Sequence, residues 1–407
     1  MTAAAAWAPD LDLLLRSRLR RGLHGTVLAG RTAQVVFDAV DAGVWTVDLA
    51  AGRGRVRRGG APAPTLVIRA DLATLAGVVG GAVSGTDAFL DGRLTVRGDL
   101  ALSLQLDGLW VGDGTPRPAS FPRSGEIDAL GVRTSYLEAG PPDAPPVLLL
   151  HGLGATNASM LPTLADLATD HRVLAPDLPG HGASAAPAAP YNPAWLAAWT
   201  EAFQAGTGSR GAVLVGNSLG GRVALEAGLT HPRSVRGLVL LCPSPAFRRL
   251  RQLVPLIRLA RPELAALPMV LPHRLVVEAV RTMFSDPGRL PRPWYEAAAD
   301  ECQRVMRSRT HRVAFAACAR QIYLDEAYGR SGFWDRLPGL LPPAHFVWGE
   351  GDRLVPSSFA RHVRDALPDA GSDVLPQCGH VPQFEQPERT HAVIRAFLAC
   401  LPVTPAG

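Results

Sequence analysis

One serine of this chain stands between two glycines in the pattern Gly-x-Ser-x-Gly, at Gly216, Ser218 and Gly220. The apolar run 212–215 before it predicts a strand, and the alanine-containing run 222–228 after it predicts a helix. A turn this tight forces unfavourable backbone angles on its apex residue, and glycine on either side removes the steric conflict. The pattern therefore predicts a serine hydroxyl that projects from a sheet edge, near the positive end of the following helix.

A serine hydroxyl is a poor nucleophile at neutral pH, so it needs a base, and the base needs an acid that orients it. Asp352 comes just after the apolar run 346–348, where a short loop can carry a carboxylate to the sheet edge. His380 lies in a loop before a helix predicted for about 387–398. Other histidines lie on or beside predicted helices with no matching partner, namely His231, His311, His362 and His391. We therefore predict Ser218 as nucleophile, His380 as general base and Asp352 as orienting acid.

Acyl transfer also needs two backbone N–H donors for the developing oxyanion. Leu219 directly follows the serine, and its N–H is one predicted donor. Leu153, in the glycine-containing turn after the apolar run 147–150, is predicted to supply the second. An ordinary glycine-rich turn describes the same residues without the chemistry, so this second assignment stays open.

A further loop places Asp177 and His181 in the run Asp-Leu-Pro-Gly-His-Gly-Ala-Ser. We predict that these two residues form a buried polar brace below the site. A catalytic role for either is the less favoured alternative.

The elements that must position these residues alternate along the second part of the chain. Short, nearly continuous apolar runs predict strands that are covered on both faces, and helices separate them; these runs are 132–137, 147–150, 173–175, 213–215, 238–241 and 346–348. About a hundred residues without strand character follow the fifth run. They predict a helical cap over the site, at about 244–338, with helical stretches at 253–259, 264–270 and 275–283. Its apolar residues either face a hydrophobic substrate or fill the cap's own core, and the sequence leaves both open.

Length and composition exclude several other classes of protein. The chain has 407 residues, 47% of them hydrophobic and 19% charged, which is more than one hydrophobic core usually holds. All 41 basic residues are arginine, so lysine Schiff-base chemistry and a Walker-type phosphate loop are excluded. The net charge of +5 comes from acidic and basic residues that are interspersed, so we expect no nucleic-acid partner.

The cysteines and the apolar runs bear on metals, disulfides and membranes. Five cysteines form no Cys-x-x-Cys pair, so we expect neither a zinc site nor a disulfide framework. No uninterrupted apolar run approaches the roughly 18 residues of a membrane-spanning helix. The N-terminus does not follow the pattern of a secretory signal. We expect a cytoplasmic protein without a transmembrane segment.

Residues from about 125 to 403 resemble the α/β-hydrolase superfamily. The resemblance rests on five ordered motifs around His151, Asp177, Ser218, Asp352 and His380. It implies a mostly parallel sheet covered by helices, and acyl transfer through an acyl-enzyme on Ser218 that water releases with help from His380. It implies no metal and no organic cofactor.

The first part of the chain predicts a small α+β domain. Strands are predicted at 33–37, 44–49, 65–68 and 94–96, with helices at 71–78 and 100–109. Gly92 to Asp99 reads Gly-x-Leu-x-Val-x-Gly-Asp, and Trp45 to Gly52 reads Trp-x-Val-x-Leu-x-x-Gly. Both resemble the sterol carrier protein family, which implies a sheet-and-helix shell around an apolar tunnel for fatty acyl chains or sterols. A dry core is the alternative for the same residues.

These predictions divide the chain into a lipid-binding-type domain at 1–112, a linker at 113–124 and a hydrolase domain at 125–407. The linker is predicted from the density of turn-forming residues. The function that we favour is hydrolysis of a carboxylic ester of a small hydrophobic substrate, with a possible lipid ligand in the N-terminal domain. We also predict that the N-terminal domain collects or presents an apolar ligand for Ser218, because covalent linkage raises effective concentration.

Two other functions remain open. The run 216–221, Gly-Asn-Ser-Leu-Gly-Gly, is close to the elbow of ring-cleavage hydrolases that break carbon–carbon bonds. Against that reading, the turn at 151–156 is His-Gly-Leu-Gly-Ala-Thr instead of His-Gly-Gly-Gly-Pro-Gly, and Val381 stands where that subgroup carries tryptophan. A non-enzymatic lipid-sensing module is the third possibility, and an intact set of Ser218, Asp352 and His380 argues against it.

Overall fold

The computed structural model of the chain describes residues 10–20, 28, 30–107, 121–246, 254–259, 261–267 and 271–402. The described residues form two units, each built on its own sheet. Both predicted fold types, a small α+β domain followed by an α/β domain with a helical cap, are confirmed.

The N-terminal unit is a five-stranded sheet of order β3-β2-β1-β4-β5 with helices packed on it. Only β1 and β4 run parallel, and the other neighbours are antiparallel. The strands are β1 Ala33–Ala39, β2 Gly43–Ala50, β3 Arg53–Arg58, β4 Leu66–Ala70 and β5 Thr95–Gly98. The helices are α1 Leu11–Leu19, α2 Leu72–Gly80, α3 Gly85–Leu90 and α4 Leu100–Asp107.

The sequence patterns explain which of these elements were predicted. In β1 and β2 the buried positions include alternating β-branched and aromatic residues, as in a sheet with one covered face. The sequence analysis did not predict α1, β3 or α3. In β3, Val56 is the one buried residue, so the apolar alternation that reveals a strand is absent. Predicted helix 100–109 is α4, and its last two residues lie outside the described residues.

The second unit is an eight-stranded sheet of order β13-β12-β11-β10-β8-β9-β7-β6. The strands β8 to β13 pair in parallel with their neighbours among themselves, whereas β6 with β7 and β7 with β9 are antiparallel. The strands are β6 Arg123–Ala129, β7 Val132–Ala139, β8 Pro146–Leu150, β9 Arg172–Pro176, β10 Ala212–Asn217, β11 Val235–Leu241, β12 Ala344–Gly349 and β13 Gly371–Leu375. Helices on both faces outside the cap are α5 Leu161–Leu167, α6 Pro193–Thr207, α7 Leu219–Thr230, α13 Phe359–Ala366, α14 Pro382–Glu385 and α15 Pro387–Cys400.

The predicted boundary between linker and second domain needs a correction of two residues. Residues 113–120 of the predicted linker lie outside the described residues. Arg123 and Ser124, however, already belong to β6 and pair with Glu138 and Leu137 of β7. An edge strand is paired on one side only, so it tolerates the polar composition that we interpreted as a linker.

The cap lies between β11 and β12, as predicted. Its helices are α8 Val254–Leu259, α9 His273–Arg281, α10 Arg292–Met306, α11 Arg309–Leu324 and α12 Phe333–Arg336. The stretch predicted as a helix at 264–270 is a short 3-10 helix at Pro262–Ala266, and residues 268–270 lie outside the described residues. The sequence analysis did not single out α10 and α11, the two longest cap helices. In the described parts of the chain, no helix is both long and apolar enough to cross a membrane.

The two units are in direct contact through cap helix α10. The Arg97 Nε of β5 donates to an Asp300 oxygen at 2.7 Å, and the neighbouring Gly98 N–H donates to the same carboxylate at 2.9 Å. The Phe89 ring of α3 stacks on the Trp294 ring with centroids 5.6 Å apart. The N-terminal domain therefore binds the cap of the second domain by both charged and apolar contacts.

Candidate active site

Ser218 occupies the predicted sharp turn between β10 and α7. Its backbone has φ 54° and ψ −114°, in the positive-φ region that side chains other than glycine rarely adopt. A Cβ on Gly216 would collide with the backbone of Gly220, and one on Gly220 would overlap the carbonyl oxygen of Leu150. Both glycines are thus required by close backbone approach, but the atoms approached belong to the far side of the turn and to the end of β8, not to the apex serine as predicted.

Asp352 and His380 form a buried hydrogen-bonded pair. His380 Nδ1 lies 2.7 Å from Asp352 Oδ2, and the two side chains are 7% and 0% exposed. The other carboxylate oxygen of Asp352, Oδ1, accepts the N–H groups of Leu354 at 2.8 Å and Val355 at 2.9 Å. Because two backbone donors hold Oδ1, Oδ2 is directed at Nδ1, and Asp352 fixes the orientation of the imidazole ring.

The His380 loop is also tied to the strand end that carries Ser218. The amide Nδ2 of Asn217, the last residue of β10, donates to the carbonyl oxygens of Leu241 and His380, both at 3.0 Å. Ser218 N–H itself donates to the Leu241 carbonyl at 3.0 Å. Ser218 follows β10, Asp352 follows β12 and His380 follows β13, so all three residues lie beyond the carboxyl ends of parallel strands of one sheet. No role for Asn217 is predictable from the sequence, since its partners Leu241 and His380 are distant in the chain.

The predicted oxyanion donors lie on two sides of Ser218. Leu219 is the first residue of α7, where backbone N–H groups have no partner within the helix. Across the serine, a Cβ on Gly152 would lie 3.3 Å from the Ser218 Cβ, so the turn after β8 passes close by. Leu153 is the next residue in that turn and is partly buried against the core. The start of α7 and the turn that carries Leu153 thus both approach Ser218, and the role of the two N–H groups as oxyanion donors stays a prediction.

Asp177 and His181 form a buried brace in the loop after β9. The two oxygens of Asp177 accept the N–H groups of Asn157 and Ala183, each at 2.8 Å. Burial raises the pKa of Asp177 to about 7. Burial lowers the pKa of His181 to about 4, and its Nδ1 lies 3.0 Å from the carbonyl oxygen of Pro179. These contacts hold loops together, in agreement with the structural role that we predicted.

His151 packs against the same brace. Burial, followed by the nearby His181, lowers the pKa of His151 to about 3. Its Nε2 accepts the Leu178 N–H at 2.9 Å, which requires the neutral ring. His151 therefore anchors the start of the turn that carries Leu153.

Three potential metal ligands, Cys242, Asp352 and His380, lie within 4.8 Å of one another. The donor set does not fit a metal ion. Asp352 already accepts from the N–H groups of Leu354 and Val355 and faces His380 Nδ1, so both of its oxygens are engaged. Burial, then the negative charge of Asp352, raises the pKa of the Cys242 thiol well above its usual range, whereas a metal ligand must be the thiolate. The cluster is a hydrogen-bonded support for the imidazole.

The N-terminal domain contains an apolar cavity between its sheet and helices. Its lining includes Ile68, Val78, Phe89, Leu94, Val96 and Leu104. Leu161, from α5 of the second domain, also contributes to the wall. The interior predicted either as a dry core or as a lipid tunnel thus includes a cavity that both domains line.

Comparison with known proteins agrees with this architecture. A model of the alpha/beta hydrolase family matches residues 147–393, and one of the SCP-2 sterol transfer family matches residues 25–110. The chain is 29% identical over 259 residues to a pimeloyl-[acyl-carrier protein] methyl ester esterase of Aromatoleum aromaticum, covering 60% of this chain and 94% of that protein.

Two further proteins illustrate the range of relatives. A 2-hydroxy-6-oxo-6-(2'-aminophenyl)hexa-2,4-dienoic acid hydrolase of Metapseudomonas resinovorans is 28% identical over 278 residues, covering 67% of this chain and 90% of that protein. The crystal structure of a membrane phospholipase A, a bacterial virulence factor, superposes with a TM-score of 0.58 at 25% identity, covering 81% of this chain and 95% of the other. The chain is therefore a hydrolase that belongs to the alpha/beta hydrolase family, and it carries an N-terminal domain of the SCP-2 sterol transfer family.

Proposed function

We propose that this hydrolase cleaves carboxylic esters of apolar substrates through an acyl-enzyme on Ser218. The observation that carries the proposal is the buried Asp352–His380 pair, held by Asn217 next to a serine in a strained turn. When Nδ1 keeps the ring proton and donates a hydrogen bond to Asp352, Nε2 is free to accept a proton from an alcohol. A serine nucleophile requires a base in this tautomer.

In the proposed reaction, Ser218 Oγ attacks the ester carbonyl carbon while His380 takes the hydroxyl proton. The N–H groups of Leu219 and Leu153 stabilise the negative charge on the carbonyl oxygen, and the N-terminal end of α7 adds to this field. The intermediate collapses, and His380 delivers the proton to the leaving alcohol. Water then attacks the acyl group with His380 again as base, which releases the acid and restores Ser218.

Several observations favour an apolar substrate. A cavity between α7 and cap helix α11 is lined by Leu219, the residue after the proposed nucleophile, and by apolar residues that include Pro245 and Ile322. The charged residues in its wall, Arg222 and Asp325, are paired with each other at 2.8 Å. The similarity to an acyl-carrier-protein methyl ester esterase and to a phospholipase A agrees with ester chemistry on acyl groups. We therefore expect acyl esters to be cleaved in preference to charged, compact ones.

Hydrolysis of p-nitrophenyl esters of increasing acyl length tests this proposal. Ser218→Ala should lower kcat by about three orders of magnitude or more, because the covalent route is lost. Ser234→Ala is the control, since Ser234 is a buried serine that directly precedes β11, at the opposite end of that strand from the site. Equal activity in wild type and Ser218→Ala would overturn the proposal.

A second candidate, hydrolysis of a carbon–carbon bond in a ring-cleavage product, is supported by similarity to the hexadienoic acid hydrolase. The elbow sequence Gly-Asn-Ser-Leu-Gly-Gly at 216–221 also favours it. A ring-cleavage dienone in the same panel separates the two functions. Turnover of the dienone with little ester cleavage would replace the first candidate by the second.

We further propose that the N-terminal cavity takes up an apolar lipid such as a fatty acyl chain. The SCP-2 match and the apolar lining around Phe89 and Leu104 support this. Ser103, which also lines the cavity, provides a test: Ser103→Trp should fill the space and weaken binding of a fluorescent fatty acid by about tenfold or more. Thr95→Trp, on a strand position outside the lining, is the control. Wild-type binding by Ser103→Trp would place the ligand elsewhere.

If the N-terminal domain also presents this ligand to Ser218, cavity filling should lower kcat/KM for long-chain esters and leave short-chain esters unaffected. Equal effects on both chain lengths would contradict cooperation between the domains. A protein that binds the fatty acid but cleaves no substrate would instead support the non-enzymatic lipid-sensing module.

A further inference from the structure

We infer that Glu385 is a positioning residue that ties the catalytic-histidine loop to the cap, so that the geometry of His380 depends on the position of the cap. The inference rests on the proposed function and concerns the same site. Glu385 lies in α14, five residues after His380, and is only 2% exposed. None of the motifs used in the sequence analysis includes it.

The Glu385 carboxylate accepts backbone N–H groups from two separate segments. Oε2 accepts the Gly379 N–H at 2.6 Å, and Gly379 directly precedes His380. The same oxygen accepts the Ser285 N–H at 3.2 Å, and Oε1 accepts the Asp286 N–H at 2.8 Å. Ser285 and Asp286 belong to the cap, in the segment between α9 and α10. One buried carboxylate thus joins the histidine loop to the cap.

Direct backbone contact strengthens this connection. His380 N–H donates to the carbonyl oxygen of Met283 at 2.7 Å, so the cap segment 283–286 runs along the histidine loop. A Cβ on Gly379 would overlap the Met283 carbonyl, which shows how closely the two segments approach. Displacement of this cap segment would therefore break bonds to His380 itself and to the residue before it.

The cap segment is in turn fixed to α10. Phe284 meets Tyr295 of α10 edge to face, with ring centroids 5.2 Å apart, and both rings are buried. Phe384, the residue before Glu385, is partly buried and packs against the same apolar cluster. Since α10 also carries the contacts to the N-terminal domain, the histidine loop, the cap and that domain form one continuous set of packed elements.

Charge and acceptor number explain why a carboxylate is needed here. Three N–H donors converge on two oxygens, and an ionised carboxylate has acceptor sites on both. In Glu385→Gln one of the oxygens becomes an NH₂ group, which can only donate. In one orientation this NH₂ group would face the Asp286 N–H, and in the other it would face the N–H groups of Ser285 and Gly379. In either case at least one hydrogen bond would be replaced by a repulsive contact between two donors.

The test combines kinetics with hydrogen exchange on the full chain. Glu385→Gln should lower kcat for a p-nitrophenyl ester by about 30- to 100-fold with KM within about twofold, since displacement of a catalytic group by about 1 Å can cost about a hundredfold. Amide exchange should become faster in peptides covering 283–287 and 378–386. Glu138→Gln makes the same chemical change at a carboxylate that pairs with Arg172 at 2.7 Å, far along the sheet, and should retain wild-type kcat.

The result that would overturn the inference is a wild-type kcat in Glu385→Gln, or a lower kcat without faster exchange in both segments. Glu385→Asp serves if the glutamine variant does not fold, because it keeps the charge but shortens the side chain by one methylene and should show the same kinetic split. Failure of the proposed function has a different signature: Ser218→Ala and His380→Ala would then retain ester hydrolysis, while exchange in the two segments would still report on the Glu385 contacts.

Discussion

Replacement of Asp352 by asparagine gives a strong test of the proposed mechanism, because the structure determines how the new amide must orient. In the native protein Oδ1 accepts two N–H groups, from Leu354 and Val355, and Oδ2 faces His380 Nδ1. In Asp352→Asn the single oxygen should stay with the two backbone donors. The NH₂ group then faces His380 Nδ1 and forces that nitrogen to be an acceptor.

The consequence is a reversed histidine tautomer. The ring proton moves to Nε2, the nitrogen that must accept the Ser218 proton, so the neutral ring can no longer act as base. A reversed tautomer in a serine–histidine–aspartate site lowers kcat by about 10⁴-fold. This corresponds to about 5 kcal/mol of transition-state stabilisation.

The assay is steady-state hydrolysis of a short p-nitrophenyl ester, with unfolding midpoints measured in parallel. Asp128→Asn is a matched control, because Asp128 also accepts a backbone N–H, from Gly131 at 2.8 Å, but lies in an exposed turn of the outer strands. We expect wild-type kcat in the control and a folded but nearly inactive Asp352→Asn. More than about a tenth of wild-type kcat in Asp352→Asn would refute the assigned orientation of the carboxylate.

Three other outcomes are expected. The pKa of His181 is lowered to about 4 in the folded protein, whereas in the unfolded chain the ring takes up a proton near its ordinary pKa of 6.5. Its contribution to the free energy of unfolding is therefore full above about pH 6.5 and falls as the pH decreases toward 4. His181→Asn keeps a donor for the Pro179 carbonyl, and between about pH 7.5 and pH 5 it should lose about 2 kcal/mol less unfolding free energy than wild type in urea titrations; parallel losses would contradict the lowered pKa. Asp300→Asn weakens the hydrogen bonds that the Arg97 side chain and the Gly98 N–H donate to this carboxylate, and it should lower the free energy of unfolding by about 1–2 kcal/mol. Amide exchange should become faster on both β5 and α10, and a change on one side alone would be inconsistent with a shared interface. Gly220→Ala places a methyl group on the Leu150 carbonyl and should destabilise the hydrolase domain by about 3 kcal/mol, measured by thermal unfolding, and an unchanged midpoint would rule out the close approach.

The local pattern around Ser218 was predictable because its physical causes are local. Glycines at 216 and 220 lie within two residues of the serine, and the collision that Gly216 avoids lies within the turn, whereas the one that Gly220 avoids involves Leu150 at the end of β8. The apolar residues of β8, β10 and β11 are buried on both faces of the strands, with one partly exposed position each in β8 and β11, so these runs stand out in the sequence as central strands. The fold class and the presence of a cap follow from such runs and the gap between them. The catalytic roles of Ser218, Asp352, His380, Leu153 and Leu219 remain predictions that the kinetic tests address.

Other features lacked a local signal. β3 has one buried residue, and β6 is polar, so neither shows the apolar alternation of a covered strand. Because β6 is an edge strand, its start at Arg123 was interpreted as the end of a linker. The cap helices α10 and α11 contain many polar and charged residues, so neither stands out as an apolar run. In α10 the carboxylate of Asp300 binds Arg97 of the N-terminal domain.

The sequence by itself determined the order of the central strands, the presence of the cap, the strained serine turn and the residue types available for a nucleophile, a base and an acid. Tertiary structure alone decided that Asn217 holds the carbonyl of His380, that Glu385 joins the histidine loop to the cap, and that Leu161 helps to line the cavity of the other domain. The physical reason is sequence separation. Backbone strain and hydrophobic periodicity arise between near neighbours and can be recognised in the chain, whereas a hydrogen bond across 163 or 99 residues depends on how whole elements pack.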